Sequence, residues 1–186
     1  MPILYKSSPT PSAIATAIAA ETLTAIDSVH HEIHEGDHYT AISYDADTDI
    51  ATPKRWSLVA PDTTVRCHVV FEVEVGVSGG VIEFSESPSV LAAGTAITAY
   101  NNDRNSANTA TMLVNQDTTT QAPNNDGTIL TSETVGSAGA QAKFGGSANH
   151  RYEWILKQAT TYIVKLTATA NNTVSTIRVR WYEHTP

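Results

Sequence analysis

Val65-Arg66-Cys67-His68-Val69-Val70-Phe71-Glu72-Val73-Glu74-Val75 alternates apolar and polar side chains. Val65, Cys67, Val69, Phe71, Val73 and Val75 fall on one face. Arg66, His68, Glu72 and Glu74 fall on the other, with Val70 the exception. Successive side chains of a strand point to opposite sides, so a period of two predicts one buried and one wet face. An antiparallel sheet tolerates a wet face, whereas a parallel sheet covered on both sides does not favour one. Gly79-Gly80 then predicts a turn into Val81-Ile82-Glu83-Phe84 as a hairpin partner.

Outward from this stretch, further strands are expected over 96–100, 109–115, 151–157, 161–168 and 173–182, with shorter ones at 39–44 and 56–60. In the last of the long ones, Ile177, Val179 and Trp181 face one way and Arg178, Arg180 and Tyr182 the other. Between them lie Asn101-Asn102-Asp103-Arg104-Asn105 and Ala122-Pro123-Asn124-Asn125-Asp126-Gly127, which are turn chemistry. Many short strands without a long helix predict an all-β fold, an antiparallel β-sandwich with the jelly roll among its candidate forms. Residues 1–28 differ. Ser8-Pro9-Thr10-Pro11-Ser12 is stiff, and the Ala- and Thr-rich stretch after it carries only a thin helical stripe. They are expected to form an extended or short-helical N-terminal arm, with the β-sandwich domain spanning 29–186.

The formal net charge is −8, from 11 basic and 19 acidic residues. An acidic chain is a poor coat for phosphates, so no direct nucleic-acid partner is expected. Charged residues make up only 16% of the chain, and Thr, Ser, Asn and Ala fill the gap, a mix that suits strands and polar loops. A single cysteine, Cys67, permits no intrachain disulfide. No apolar run reaches the ~20 residues that span a bilayer, and the first residues do not read as a signal peptide. No membrane partner is expected, and the protein should be soluble where it is made.

The sharpest chemical signal is His30-His31-Glu32-Ile33-His34-Glu35-Gly36-Asp37-His38-Tyr39. On a helix, His30, His34 and His38 would share a face with metal-ligand spacing. His34-Glu35-Gly36-Asp37-His38 carries the letters of the H-E-x-x-H metalloprotease pattern, but Gly36-Asp37 interrupts the helix that would put both histidines on one face. The imidazoles are expected to pack or hydrogen-bond at the opening of a β-domain, so that changing His34 and His38 weakens folding or assembly. Asp45-Ala46-Asp47-Thr48-Asp49 resembles the start of a calcium loop, but the positions that want Gly and Glu hold Ile50 and Trp56. Cys67 and His68 point to opposite faces of a strand and cannot pair as nucleophile and base. Gly76-Val77-Ser78-Gly79-Gly80 carries the letters G-x-S-x-G, but its turn is expected to lead into a strand and not into the helix a nucleophile elbow needs, and there is no phosphate-binding loop. Arg178, Arg180 and Tyr182 read as a solvated sheet face or a protein interface.

Several blocks carry a resemblance: His31-Glu32-Ile33-His34-Glu35-Gly36-Asp37-His38-Tyr39 at the opening, Gly94-Thr95-Ala96 leading to Tyr100-Asn101 and Arg104-Asn105-Ser106 in the middle, Trp154-Ile155-Leu156-Lys157 and Thr161-Tyr162-Ile163-Val164-Lys165-Leu166 later, and Arg178-Val179-Arg180-Trp181-Tyr182-Glu183-His184 at the close. Together, over most of residues 31–184, they resemble small head proteins of tailed bacteriophages, and among these the capsid decoration, or cement, proteins. The resemblance implies a β-sandwich module, a homotrimer, and binding to the major capsid protein on the outside of the head, clamping neighbouring subunits. It implies a virion protein assembled in the bacterial host cytoplasm, not an enzyme, with no catalytic, cofactor-binding or metal residues and no cofactor. Residues 1–28 and one sheet edge are the expected contacts. A glycan- or receptor-binding module of a head or tail fibre is the alternative, with Tyr100, Tyr152 and Tyr182 as candidate platforms. A metal-dependent enzyme built on the histidine block is a third reading.

Overall fold

The structure, a computed structural model, describes residues 28–76, 79–121, 125–136, 146–149 and 153–185. Most of the expected arm therefore lies outside the described residues. The helix α1 (Ser28–Glu35) comes first, followed by β1 (His38–Thr48), β2 (Lys54–Val59), β3 (Arg66–Val75), β4 (Gly80–Glu86), β5 (Val90–Ala92), β6 (Thr95–Ala96) and β7 (Tyr100–Asn101). Then come β8 (Leu113–Gln116), β9 (Thr119–Thr120), β10 (Thr128–Val135), β11 (Gly146–Asn149), β12 (Trp154–Ile155), β13 (Thr161–Ala168) and β14 (Thr173–His184).

Two antiparallel sheets face each other, as the alternation predicts. One runs β11-β3-β14-β1-β7, with β12 also pairing β3; the other runs β10-β4-β13-β2-β8-β6. The inner faces supply the core. Cys67, Val69, Phe71, Val73 and Val75 of β3 are buried, as are Ile177, Val179 and Trp181 of β14. From the second sheet come Trp56, Leu58, Ile82, Phe84, Val164 and Leu166. Phe84 is the hub, with ring centroids 5.0 Å from Phe71, 5.3 Å from Trp154 and 5.5 Å from Tyr162.

One expectation is overturned. Val81–Phe84 is not the hairpin partner of the opening stretch. It lies in β4, which pairs with β10 and β13 in the opposite sheet. An apolar run on each side of a glycine-rich turn fits a hairpin and a crossing arch equally well. Here Phe71 and Phe84 meet across the core with their rings tilted by 47°, each from a different sheet, which requires the chain to change sheets. The Gly76 amide donates to the Val174 carbonyl at 2.7 Å, and the Gly79 amide donates back to the Gly76 carbonyl at 2.9 Å.

The outer face of the second sheet is also covered. The two-stranded ribbon β5-β9 belongs to the segment lying over it. Beneath that segment sits a polar layer. Thr118 Oγ1 donates to Ser57 Oγ at 3.0 Å, and Ser85 Oγ donates to the Asp126 carbonyl at 2.5 Å. Asp126 takes the Arg55 guanidinium at both oxygens and the Lys165 ammonium at 3.2 Å. Burial opposes its charge, but Arg55, Thr120 and Lys165 together hold the carboxyl below its ordinary value.

Candidate interaction surface

The helix, the middle loop and the last strand meet at one corner. The helix α1 stops where the Gly36 and Asp37 amides fold back onto the Ile33 and Glu32 carbonyls, at 3.1 and 3.0 Å. This double closure is a Schellman motif, which needs a left-handed residue, and Gly36 supplies it with φ of 77°. A Cβ there would come within 2.8 Å of Ser106 Cβ, so the glycine is also required for close approach. Asn101 Nδ2 donates to the Gly36 carbonyl at 2.6 Å, and the Glu183 amide donates to the Asp37 carbonyl at 3.0 Å. The opening, middle and closing sequence blocks are thus one hydrogen-bonded unit, although about 150 residues separate its ends in the chain.

Glu183 anchors the same corner from inside. Its carboxylate accepts the Thr111 and Met112 amides, each at 2.9 Å, the Thr111 hydroxyl at 2.6 Å and the Trp181 indole N–H at 2.9 Å. It also lies near Cys67. Burial, with the Glu183 charge adding to it, pushes that thiol up to about 12, so it stays protonated in the core.

The histidine block divides at Gly36. His30 and His34 are exposed on α1, His31 is exposed beside Glu35, and His38 is buried at the start of β1. Asn102 Nδ2 donates to His38 Nδ1 at 2.7 Å, while Thr40 Oγ1 donates to Asn102 Oδ1 at 2.8 Å. The amide is thereby fixed, and His38 must present a bare Nδ1 to it. Burial lowers the His38 pKa and the nearby Arg180 lowers it further. His68 is lowered too, first by burial and then by His184 and Arg66, against the opposing pull of Glu153. Its Nδ1 hydrogen-bonds Glu153 and lies 3.0 Å from the Tyr182 hydroxyl, with the two rings stacked at 4.4 Å.

Both imidazoles are therefore easier to protonate in the unfolded chain. Their contribution is present in full above about pH 6.5, the ordinary histidine value, and is lost as pH falls through the lowered folded values. Melting temperature should drop across this range before the carboxylates titrate. His38→Asn, which keeps an acceptor toward Asn102, should flatten the drop. An acid profile unchanged in both His38→Asn and His68→Gln would refute the assignment.

The aspartates of the calcium-like stretch do not converge. Asp45 binds the Lys54 ammonium at 2.9 Å, and Asp49 accepts the Asn172 amide at 3.1 Å. Lys54 also reaches Asp117 at 2.6 Å, inside a polar cleft of about 500 Å³. Among the described residues, no group of three or more His, Cys, Asp or Glu side chains is placed to hold a metal ion.

The outer face of the first sheet is where apolar groups meet solvent. Along β1 the outward residues are Thr40, Ile42 and Tyr44, with Ile42 51% and Tyr44 65% exposed. Tyr100 pairs opposite Thr40, is 57% exposed, and carries the Arg104 guanidinium 5.5 Å over its ring. Ile42 and Tyr44 were not singled out in the sequence. β7 pairs with β1 only at Tyr39 and Thr40. Beyond them, from Ala41 to Tyr44, the side of β1 away from β14 has no strand partner among the described residues. Such an edge is a template for pairing unless it is blunted.

Arg178, opposite Ile42 in the next strand, is held by Glu72 at 3.1 Å, and Arg180 is exposed. Tyr182 is packed against His68, and Tyr152 lies outside the described residues. Of the three tyrosines expected as platforms, Tyr100 alone is shown to stand in solvent. Comparisons with protein-family models, with curated proteins and with solved structures find no match to this chain.

Proposed function

We propose that the protein is a bacteriophage capsid decoration protein. It binds the outside of the head as a trimer and clamps neighbouring major capsid subunits, acting by interface burial rather than turnover. The observation that carries this reading is the edge of β1 from Ala41 to Tyr44, which has no strand partner among the described residues and is bordered by exposed Ile42, Tyr44 and Tyr100. An unpaired edge beside apolar side chains is suited to another chain, which would add backbone hydrogen bonds and side-chain burial together. The convergence of the resembling blocks into one corner supports the reading as well, since it holds the start of that edge in place. Several weak grips on one lattice would reinforce one another through high effective concentration.

The test is decoration of capsids that lack the protein, read by co-sedimentation and by the temperature at which particles rupture. The parent should bind, run as a trimer in light scattering, and raise the rupture temperature. Ile42→Glu combined with Tyr44→Glu should abolish binding while leaving the melting temperature of the free protein nearly unchanged. A monomer that never binds capsids would remove the proposal. Reproducible hits on a glycan array, lost in Tyr100→Ala, would favour the glycan-binding alternative instead.

A further inference from the structure

We infer that His30 and His34 form a two-imidazole chelate for a divalent transition-metal ion, with copper(II) and nickel(II) favoured over zinc. The two residues stand four apart on α1, so they occupy neighbouring turns of one face. Both are exposed, and their Nε2 atoms lie 3.0 Å apart. The rings meet edge to face, with centroids at 4.6 Å and planes 76° apart.

That separation is within reach of one shared ion. Imidazole–metal bonds run ~2.0–2.1 Å, so two nitrogens at a right angle around one ion stand ~2.9 Å apart. The tetrahedral angle would separate them by ~3.3 Å. The observed 3.0 Å is that of the hydrogen bond between the rings and lies within reach of either angle, so the preference for copper(II) and nickel(II) rests on the general order of affinities of nitrogen sites for first-row divalent ions. The pair is therefore held near its chelating distance before any ion arrives.

Proton bookkeeping is simple. A hydrogen bond between two Nε2 atoms requires one ring to carry Nε2–H and the other a bare lone pair. Binding needs both lone pairs, so the donor ring moves its proton to Nδ1 by exchange with water, and no net proton is released from the neutral pair. With no third donor set among the described residues, water fills the remaining positions. The neighbouring His31 is engaged on a different line of the helix, 3.6 Å from Glu35, and is not a ligand of this site.

The experiment uses the full chain purified without a histidine tag. Copper(II), nickel(II) and zinc are titrated separately by calorimetry, and the copper complex is examined by electron paramagnetic resonance. The expected result is one copper per chain with hyperfine splitting from two imidazole nitrogens, and affinities in the order copper, nickel, zinc. His30→Gln or His34→Gln should each weaken copper binding by roughly a hundredfold, the loss expected when a second tethered ligand is removed. Circular dichroism should show both variants folded, and His31→Gln should bind as the parent does. Copper affinity unchanged in His30→Gln and His34→Gln, or coupling to a single imidazole, would overturn the assignment.

Discussion

Replacing Glu183 by alanine should cost about 3–5 kcal/mol of folding stability, because it leaves a set of buried donors without an acceptor. The carboxylate takes the Thr111 and Met112 amides, the Thr111 hydroxyl and the Trp181 indole N–H, and its side chain sits in a residue only 7% exposed. Each buried group left unpaired costs ~1–3 kcal/mol, and water entering the space would recover part of the sum. For a chain of this length that corresponds to a fall of roughly 6–20 °C in melting temperature. Glu183→Gln should lie between the two, since its amide oxygen still accepts but its NH₂ faces other donors. Urea unfolding monitored by Trp fluorescence would check the figure. A loss under about 1 kcal/mol in Glu183→Ala would mean that the corner is held by other contacts.

Asp126→Ala should cost about 3 kcal/mol or more, for a different reason. Asp126 sits between two cations that are themselves largely buried, Arg55 and Lys165, with side chains 12% and 13% exposed. Removing it leaves Arg55 without its two-oxygen partner and Lys165 with Glu83 alone, at 2.7 Å. The carboxylate also receives the Thr120 hydroxyl at 3.0 Å, so the covering segment loses its tie to the second sheet. Hydrogen exchange should show lost protection at the amides of Thr118 and Gln121, which bond Arg55 and Ser89 carbonyls. Asp126→Asn should lose less, because it keeps an acceptor for Arg55. Since the folded pKa of Asp126 is lowered, its contribution is present above the ordinary value of 3.8 and disappears as pH falls through the folded value. If Thr118 and Gln121 kept their protection in Asp126→Ala, the carboxylate would not be what pins that segment.

The sandwich was legible wherever a strand has one wet face and one buried face. β3 and β14 were read nearly to their ends, because burial writes a period of two into Cys67 to Val75 and into Ile177 to Trp181. β10 was missed for the converse reason. Most of its residues are exposed, so nothing selects alternation in Thr128 to Val135. The crossing from β3 to β4 was misread because a turn's glycines do not encode which sheet receives the next strand. The histidine block was legible as a break at Gly36-Asp37, and the Schellman closure is that break in physical form. What sequence could not reveal is convergence. Nothing in the local pattern of Glu183 announces that Thr111 and Met112 will meet it. Ile42 and Tyr44 were hidden for a related reason: an outward apolar residue has the same letter as an inward one.

The position of β14 has a consequence for how the protein is made. β1 and β3 do not touch each other as paired strands; each pairs with β14, which lies between them. During synthesis both emerge from the ribosome long before the residues that join them. At ~5–20 residues per second, β1 waits on the order of ten seconds for its neighbour. In the second sheet β2 can pair with β8 and β4 with β10 earlier, but the two halves are joined only by β13, itself late in the sequence. Phe71, Val73 and Phe84 therefore wait for β13 and β14 before the sheets that bury them are whole. Both sheets are therefore completed late, when β13 and β14 follow the strands they join.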